Sequence, residues 1–211
     1  MRPNRIILVR HGSSQGNIDK NQYETVPDYA LNLTAEGIVQ AQRAGLELKK
    51  LIGDETLYVY LSSYHRTRQT FEHIKESLKA NLVRAVEDPR IREQDRGHLR
   101  NPDVDEEIIK ERDNYGSFYY RMPDGESGAD VYDRVSIFLE TMHRDFEKPD
   151  YPQNVLIVTH GMTLRLFLMR WFHWTVEEFE NLRNPRNCQI VVMRQKPDGH
   201  FELVSELARR K

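Results

Sequence analysis

The chain of 211 residues has a single cysteine, two tryptophans and no uninterrupted run of about 18 apolar residues, the length that would span a bilayer. Cys188 alone excludes an intrachain disulfide and reads as a small buried filler. Lys and Arg number 31 against 33 Asp and Glu, a net charge of −2. The basic excess of a nucleic-acid or membrane-surface protein is missing, so any anion recognition must be local. No two histidines stand at zinc-ligand spacing such as HExxH, which leaves a metal cage without support. Residues 1–5, MRPNR, lack the apolar core of a secretion signal. The expectation is a soluble protein of a reducing, cytoplasmic compartment, with no metal and no cofactor. The apolar residues are periodic, and the length suits one α/β domain with a sizeable core.

What the sequence does have is a repeated idea. Residues 6–17, IILVRHGSSQGN, run four apolar residues into Arg10-His11-Gly12. Residues 155–161, VLIVTHG, again place four apolar residues and one polar residue before His160-Gly161. Near-continuous apolar runs of this kind belong to strands covered on both faces, and parallel strands end at one edge. The two histidines are therefore expected in one crevice.

Residues 5–10 read as the first strand, followed by a long polar connection over 13–33, a length that in compact domains is often functional. Thr34 is placed as an N-cap with Glu36 in the first turn, and Ile38, Ala41, Gly45, Leu48 and Ile52 mark one helical face before Gly53. Residues 56–61, TLYVYL, form a second strand leading to Arg66, and 67–78 have helical spacing. A short β-prone run at 82–86 precedes the charged stretch 90–100, RIREQDRGHLR. Residues 101–127 read as an excursion over the site with a short helix near 104–112. In it Phe118, Tyr119 and Tyr120 fit either a substrate pocket or packing beneath the loop. Ser127 with Asp130 forms a capping box, and Val131, Val135, Phe138, Met142 and Phe146 give a long apolar stripe. A strand over 155–159, a helix over 162–172, a cap at Thr175 with Glu178, and a hairpin of 189–194 with 201–205 complete the chain. Trp171, Phe172 and Trp174 are assigned to the core or to a dimer contact.

A phosphoryl group suits such a crevice. Its transfer depends on positioning and charge stabilisation, and Arg10 and Arg66 supply planar forks for its oxygens. A neutral His11 would attack phosphorus through one ring nitrogen while a backbone carbonyl holds the other as N–H. His160, in protonated form, would bind a further oxygen. Glu93, between Arg92 and Arg96 and close to Gly97, is the carboxylate that a turn could aim back as proton donor.

Arg10-His11-Gly12 with Asn17, Arg66 in a Ser-x-x-x-Arg-x-x-Gln-Thr segment, Glu93 before Gly97, Gly125-Glu126-Ser127 and His160-Gly161 occur in one order. With them the chain resembles the phosphoglycerate-mutase-like branch of the histidine phosphatase superfamily. RIREQD, residues 120–135 and WTVEEFENLRN resemble the plant and fungal phosphatase subgroup more narrowly. The resemblance implies one domain over 1–211, a three-layer α/β/α sandwich with a mostly parallel sheet. It also implies a phosphohistidine on His11, Glu93 as acid and later base, no metal, and Arg10, Arg66 and His160 as phosphate clamp.

Asn17, Gly161, Arg96 and Arg121 are expected at the substrate, a small phosphorylated molecule; a homo-oligomer is compatible with this. Ser13, Ser63 and Arg96 depart from the family's usual residues. Two other readings stand beside a metal-independent phosphomonoesterase: a phosphoglycerate mutase, disfavoured because no Arg-Arg pair occurs in the excursion, and a phospho-ligand binding protein with little turnover. Arg92, Arg96, Arg100 and Arg121 suggest a substrate with a second negative group.

Overall fold

A computed structural model describes residues 2–98 and 101–210. Arg100, one of the cations counted above, lies outside the described residues. Strands β1 (Arg5–Arg10), β2 (Leu57–Leu61), β3 (Leu82–Glu87), β4 (Asn154–Thr159), β5 (Ile190–Gln195) and β6 (Phe201–Leu203) form one sheet in the order β3-β2-β4-β1-β5-β6. β1 to β4 are mutually parallel, and β5 and β6 join as antiparallel strands. Arg10 stands beside Thr159 in register, so His11 and His160 leave the same edge.

Alternation in the strands decides the layers. Ile6, Leu8, Tyr58, Tyr60, Val155 and Ile157 share one core with the long helix α6 (Gly128–Phe146) and α7 (Gly161–Phe172). Ile7, Val9, Val59, Leu156 and Val158 share the other with α3 (Ala35–Ile52) and α4 (His65–Lys75). Both faces are thus buried, which is why the strands read as unbroken apolar runs rather than alternating ones. Each such side chain contributes about 1.5–3 kcal/mol by leaving water. The sandwich is the three-layer architecture the motifs imply.

The remaining helices are short or peripheral: α1 (Gln15–Ile18) and α2 (Gln22–Thr25) in the long connection, α5 (Pro102–Tyr115) in the excursion, and α8 (Val176–Glu180) after α7. The predicted caps form. Thr34 accepts from the Gly37 amide, and Ser127 with Asp130 and Thr175 with Glu178 make reciprocal capping boxes. Helix α4 differs from the spacing: it starts at His65 and stops at Lys75. Leu78 remains buried because its amide turns back to the Lys75 carbonyl, so apolar spacing outlasts the helix. Helix α5 is longer than expected because the Asn101 side chain accepts from the Asp103 and Val104 amides and so starts the helix earlier. Phe118 packs against Tyr132 and Phe179, and Trp171, Phe172 and Trp174 pack on the α6/α7 core. Among the described residues no helix is long and apolar enough to cross a membrane.

Candidate active site

Beyond the carboxyl ends of the parallel strands lies a cavity of about 310 Å³, the position at which open α/β sheets place their ligands; Arg10, His11, Arg66 and Glu93 line it, while His160 and Gly161 do not. β1 delivers Arg10 and His11, β2 leads to Ser62 and Arg66, and β4 leads to His160. β3 leads through the turn Pro89–Ile91 to Glu93. Gly12 is required for close packing rather than for a turn: a Cβ there would lie 2.5 Å from the Gly37 carbonyl oxygen of α3.

His11 is 3% exposed and held at both nitrogens. Nδ1–H donates to the Gly12 carbonyl at 2.7 Å, and Nε2 accepts from Arg66 Nε–H at 3.2 Å. Burial, then the charges of Arg66 and Arg10, hold its pKa well below the usual histidine value. The ring is therefore neutral, with the Nε2 lone pair directed toward Arg66. Arg66 is itself gripped by Asp28, whose carbonyl and carboxylate accept from Nη1 at 2.6 and 2.9 Å. Asp28 lies in the long connection, and sequence reasoning missed it because nothing in the spacing links it to Arg66. Arg10 donates to the Pro185 carbonyl at 2.7 Å, while its Nε is buried without a partner.

His160 is fully buried, 5.1 Å from His11 between ring centroids. Its Nε2 is hydrogen-bonded to Ser62 Oγ at 2.8 Å, and its Nδ1 has no partner. Burial, Arg66 and His11 push its pKa well below the ordinary value, so the ring is neutral without an anion beside it, whereas the sequence reading expects the protonated form on a bound phosphate oxygen. Gly161 begins α7, and a Cβ on it would come within 2.7 Å of Asn184, which lines the cavity.

Glu93 lies at the start of α7. Its carboxylate accepts from the Met162 and Thr163 amides at 3.3 Å each and from Thr163 Oγ1 at 3.3 Å. The segment that carries it is fastened by Arg134, which donates to the carbonyls of Arg90, Arg92 and Glu93 and to the Glu126 carboxylate. This gives Gly125-Glu126-Ser127 its role: Glu126 also accepts from Arg92 at 2.5 Å and from the Asp95 amide. Arg92 is thus committed to Glu126 rather than to Glu93.

Asn17 lines the cavity and braces its loop, accepting from the Ser14 amide at 3.1 Å and from Asn187 at 3.2 Å. Arg96 lines the cavity and pairs with Asp105 at 2.8 Å. Arg121 does not line it. Its guanidinium bonds Asp130 and the Gly125 carbonyl on the outer side of the α6 start, 62% exposed, and its assignment to the substrate is withdrawn. Arg112, Arg165, Arg183 and Arg210 do line it, and the sequence reading did not include them.

A model of the histidine phosphatase superfamily (branch 1) matches residues 6–206. The chain belongs to that superfamily. This histidine phosphatase is 45% identical to a phosphoglycerate mutase-like protein, AT74, of Arabidopsis thaliana, over 95% of the chain and 68% of the relative. It is 30% identical to the broad-range acid phosphatase DET1 of Saccharomyces cerevisiae, over 91% of the chain and 85% of the relative. The fold superposes on a solved mycobacterial hydrolase with a TM-score of 0.78 at 20% identity, covering 99% of this chain and 100% of the other. Histidine phosphatases of this kind are phosphoric monoester hydrolases.

Proposed function

We propose that this histidine phosphatase hydrolyses small phosphomonoesters without a metal, through a phosphohistidine on His11. The observation that carries the reading is the His11 ring. Its Nδ1–H is fixed on the Gly12 carbonyl, and its Nε2 lone pair is met only by a cation that a phosphate oxygen can take over. Arg10 and Arg66 bind the phosphoryl oxygens, and His160, with Nδ1 to spare, adds a further donor. Nε2 attacks phosphorus in line, the ester P–O bond breaks, and Glu93 in its acid form gives the leaving oxygen a proton. Glu93 then takes a proton from water, the water oxygen attacks phosphorus, and the P–N bond breaks. Two in-line displacements give net retention at phosphorus.

Seven arginines and a lysine line the cavity against Asp28 and Glu93, a field that favours anions and opposes a divalent cation. A cytoplasmic setting belongs to the same proposal, in keeping with the free thiol of Cys188, which burial pushes up to about 12.

The relatives' names include both a mutase-like protein and an acid phosphatase. Incubation with p-nitrophenyl phosphate in EDTA, beside an assay of 3-phosphoglycerate isomerisation, separates the readings. Hydrolysis that persists in chelator and disappears in His11→Ala is the expected result. Loss in EDTA would sink the proposal, isomerisation outpacing hydrolysis would select a mutase, and vanadate binding with neither activity would select a binding protein.

A further inference from the structure

The cavity is larger than its clamp. Its wall reaches from the clamp across to four further arginines. Beyond His11 the wall is built from Arg112 on α5, Arg165 on α7, and Arg183 and Arg210 near the chain's end. The last two meet through backbone pairing: the Arg183 amide donates to the Ala208 carbonyl at 2.8 Å, and the Arg210 amide to the Asn181 carbonyl at 2.7 Å.

Arg165 is the unusual member. It is 4% exposed, and its guanidinium donates to the Phe179 and Leu182 carbonyls at 3.4 and 2.9 Å and contacts Met162 Sδ at 3.3 Å. It lies over the Phe179 ring at 4.6 Å, and its Nε is buried with no partner. Among the described residues no carboxylate forms an ion pair with it. Burial lowers its pKa to about 10; of the charges acting on it, Glu93 comes first and opposes that shift, then Arg210 adds to it, Glu180 opposes it and Arg112 adds to it. Glu180 is engaged by Ser117 Oγ and the Phe118 amide, and Arg112 bonds Asp113. Arg183 and Arg210 are exposed, with no ion-pair partner among the described residues. Four guanidinium groups on one wall of a cleft, two of them exposed and without an ion-pair partner among the described residues, make a cationic surface suited to an anion.

We propose that Arg112, Arg165, Arg183 and Arg210 form a second anion subsite, so that the preferred substrates are small phosphomonoesters carrying a second phosphate or a carboxylate. The substrate claim rests on the hydrolase reading above; the binding claim does not. The second negative group suggested by the sequence is met mainly by other residues than the four cations named there. Of those four cations, Arg96 stays on the cavity wall and is paired with Asp105, Arg92 is committed to Glu126, Arg121 is off the cavity and Arg100 is outside the described residues.

Three matched esters test it: propyl phosphate, 3-phosphooxypropanoate and propane-1,3-diyl bisphosphate, each with its five-carbon counterpart. In the unaltered protein kcat/KM is expected to be at least about tenfold higher for a charged far end than for the neutral one, the effect of one charge-assisted contact. The bisphosphate and carboxylate arms tell which anion is preferred. The exposed double substitution Arg183→Ser/Arg210→Ser should reduce that ratio about tenfold, whereas Arg68→Ser, away from the cavity, should not change it. Equal values for neutral and charged esters at both lengths, or a ratio indifferent to the double substitution, would overturn the subsite and leave the phosphatase standing. If no ester is turned over, the hydrolase reading fails instead. The subsite is then decided by calorimetric binding of the same compounds to His11→Ala protein: at least tenfold tighter binding of the charged ones sustains it, and equal binding ends it.

Discussion

His11 and His160 are built alike and partnered differently. Each follows a buried parallel strand, each precedes a glycine, and burial followed by Arg66 holds each ring neutral. The difference lies in what each nitrogen meets. His11 has its Nδ1 proton on a carbonyl and its Nε2 lone pair on Arg66, the arrangement on which the proposed nucleophile rests. His160 is anchored to Ser62 behind it, with Nδ1 unpartnered. The same strand-histidine-glycine pattern therefore carries the proposed attacking group in one place and the proposed supporting donor in the other. Hydrogen-bond partners, not the local sequence, assign the roles.

Substitutions should separate the two strand ends. His11→Ala removes the proposed nucleophile and is expected to lower kcat by about 10⁴-fold or more, with no phosphoenzyme trapped after acid quench. His160→Ala should cost about 10²–10³-fold, the loss of one oxyanion donor, and still form phosphoenzyme. Equal losses, or phosphoenzyme from the His11 variant, would break the distinction. Asp28→Ala frees Arg66 from its orienting carboxylate and should lower kcat/KM by roughly tenfold, the loss of one charge-assisted contact, without abolishing phosphoenzyme formation. Ser62→Ala leaves His160 without its anchor and should cost about 1 kcal/mol in urea unfolding, with a smaller change in turnover than Asp28→Ala.

The pH response reports both rings together. An unfolded histidine gains its proton as pH falls through about 6.5. In the folded protein both pKa values lie well below that, so across the interval the unfolded chain binds more protons and stability falls as pH drops. Each ring contributes a slope approaching about 1.4 kcal/mol per pH unit. His160→Asn should flatten the urea-derived profile, and the acidic limb of kcat/KM assigned to His11 should lie below 6.5. An acidic limb at the free-histidine value would contradict a neutral buried nucleophile.

The strands, and the gathering of the proposed clamp residues at their ends, were legible because burial on both faces leaves an unmistakable apolar run and because strand ends are where a sheet exposes functional groups. Arg10, His11, Arg66, Glu93 and His160 all lie at or just beyond such ends. The second wall was not legible. Arg165 sits within an apolar helix and looks like a solvated charge, yet it is buried beneath Phe179. Arg183 and Arg210 are joined by irregular backbone pairing that has no periodic signature. Arg121 misled for the opposite reason: its sequence neighbourhood is that of the site, but its side chain turns outward to Asp130. Asp28 and Arg134 act on site residues from 38 and 41 positions away, a relation only tertiary structure reveals.

β1 is flanked by β4 and β5, and Arg5 contacts Asn154 across 149 residues. The strand that carries the nucleophile thus has no sheet neighbour close to it in the chain. Its assembly requires closing long loops before any ladder bond repays the entropy, the topology of a slow folder. Because Arg10 and His11 close β1, phosphate affinity should return during refolding only once β1 has joined β4, making anion binding a reporter of that pairing.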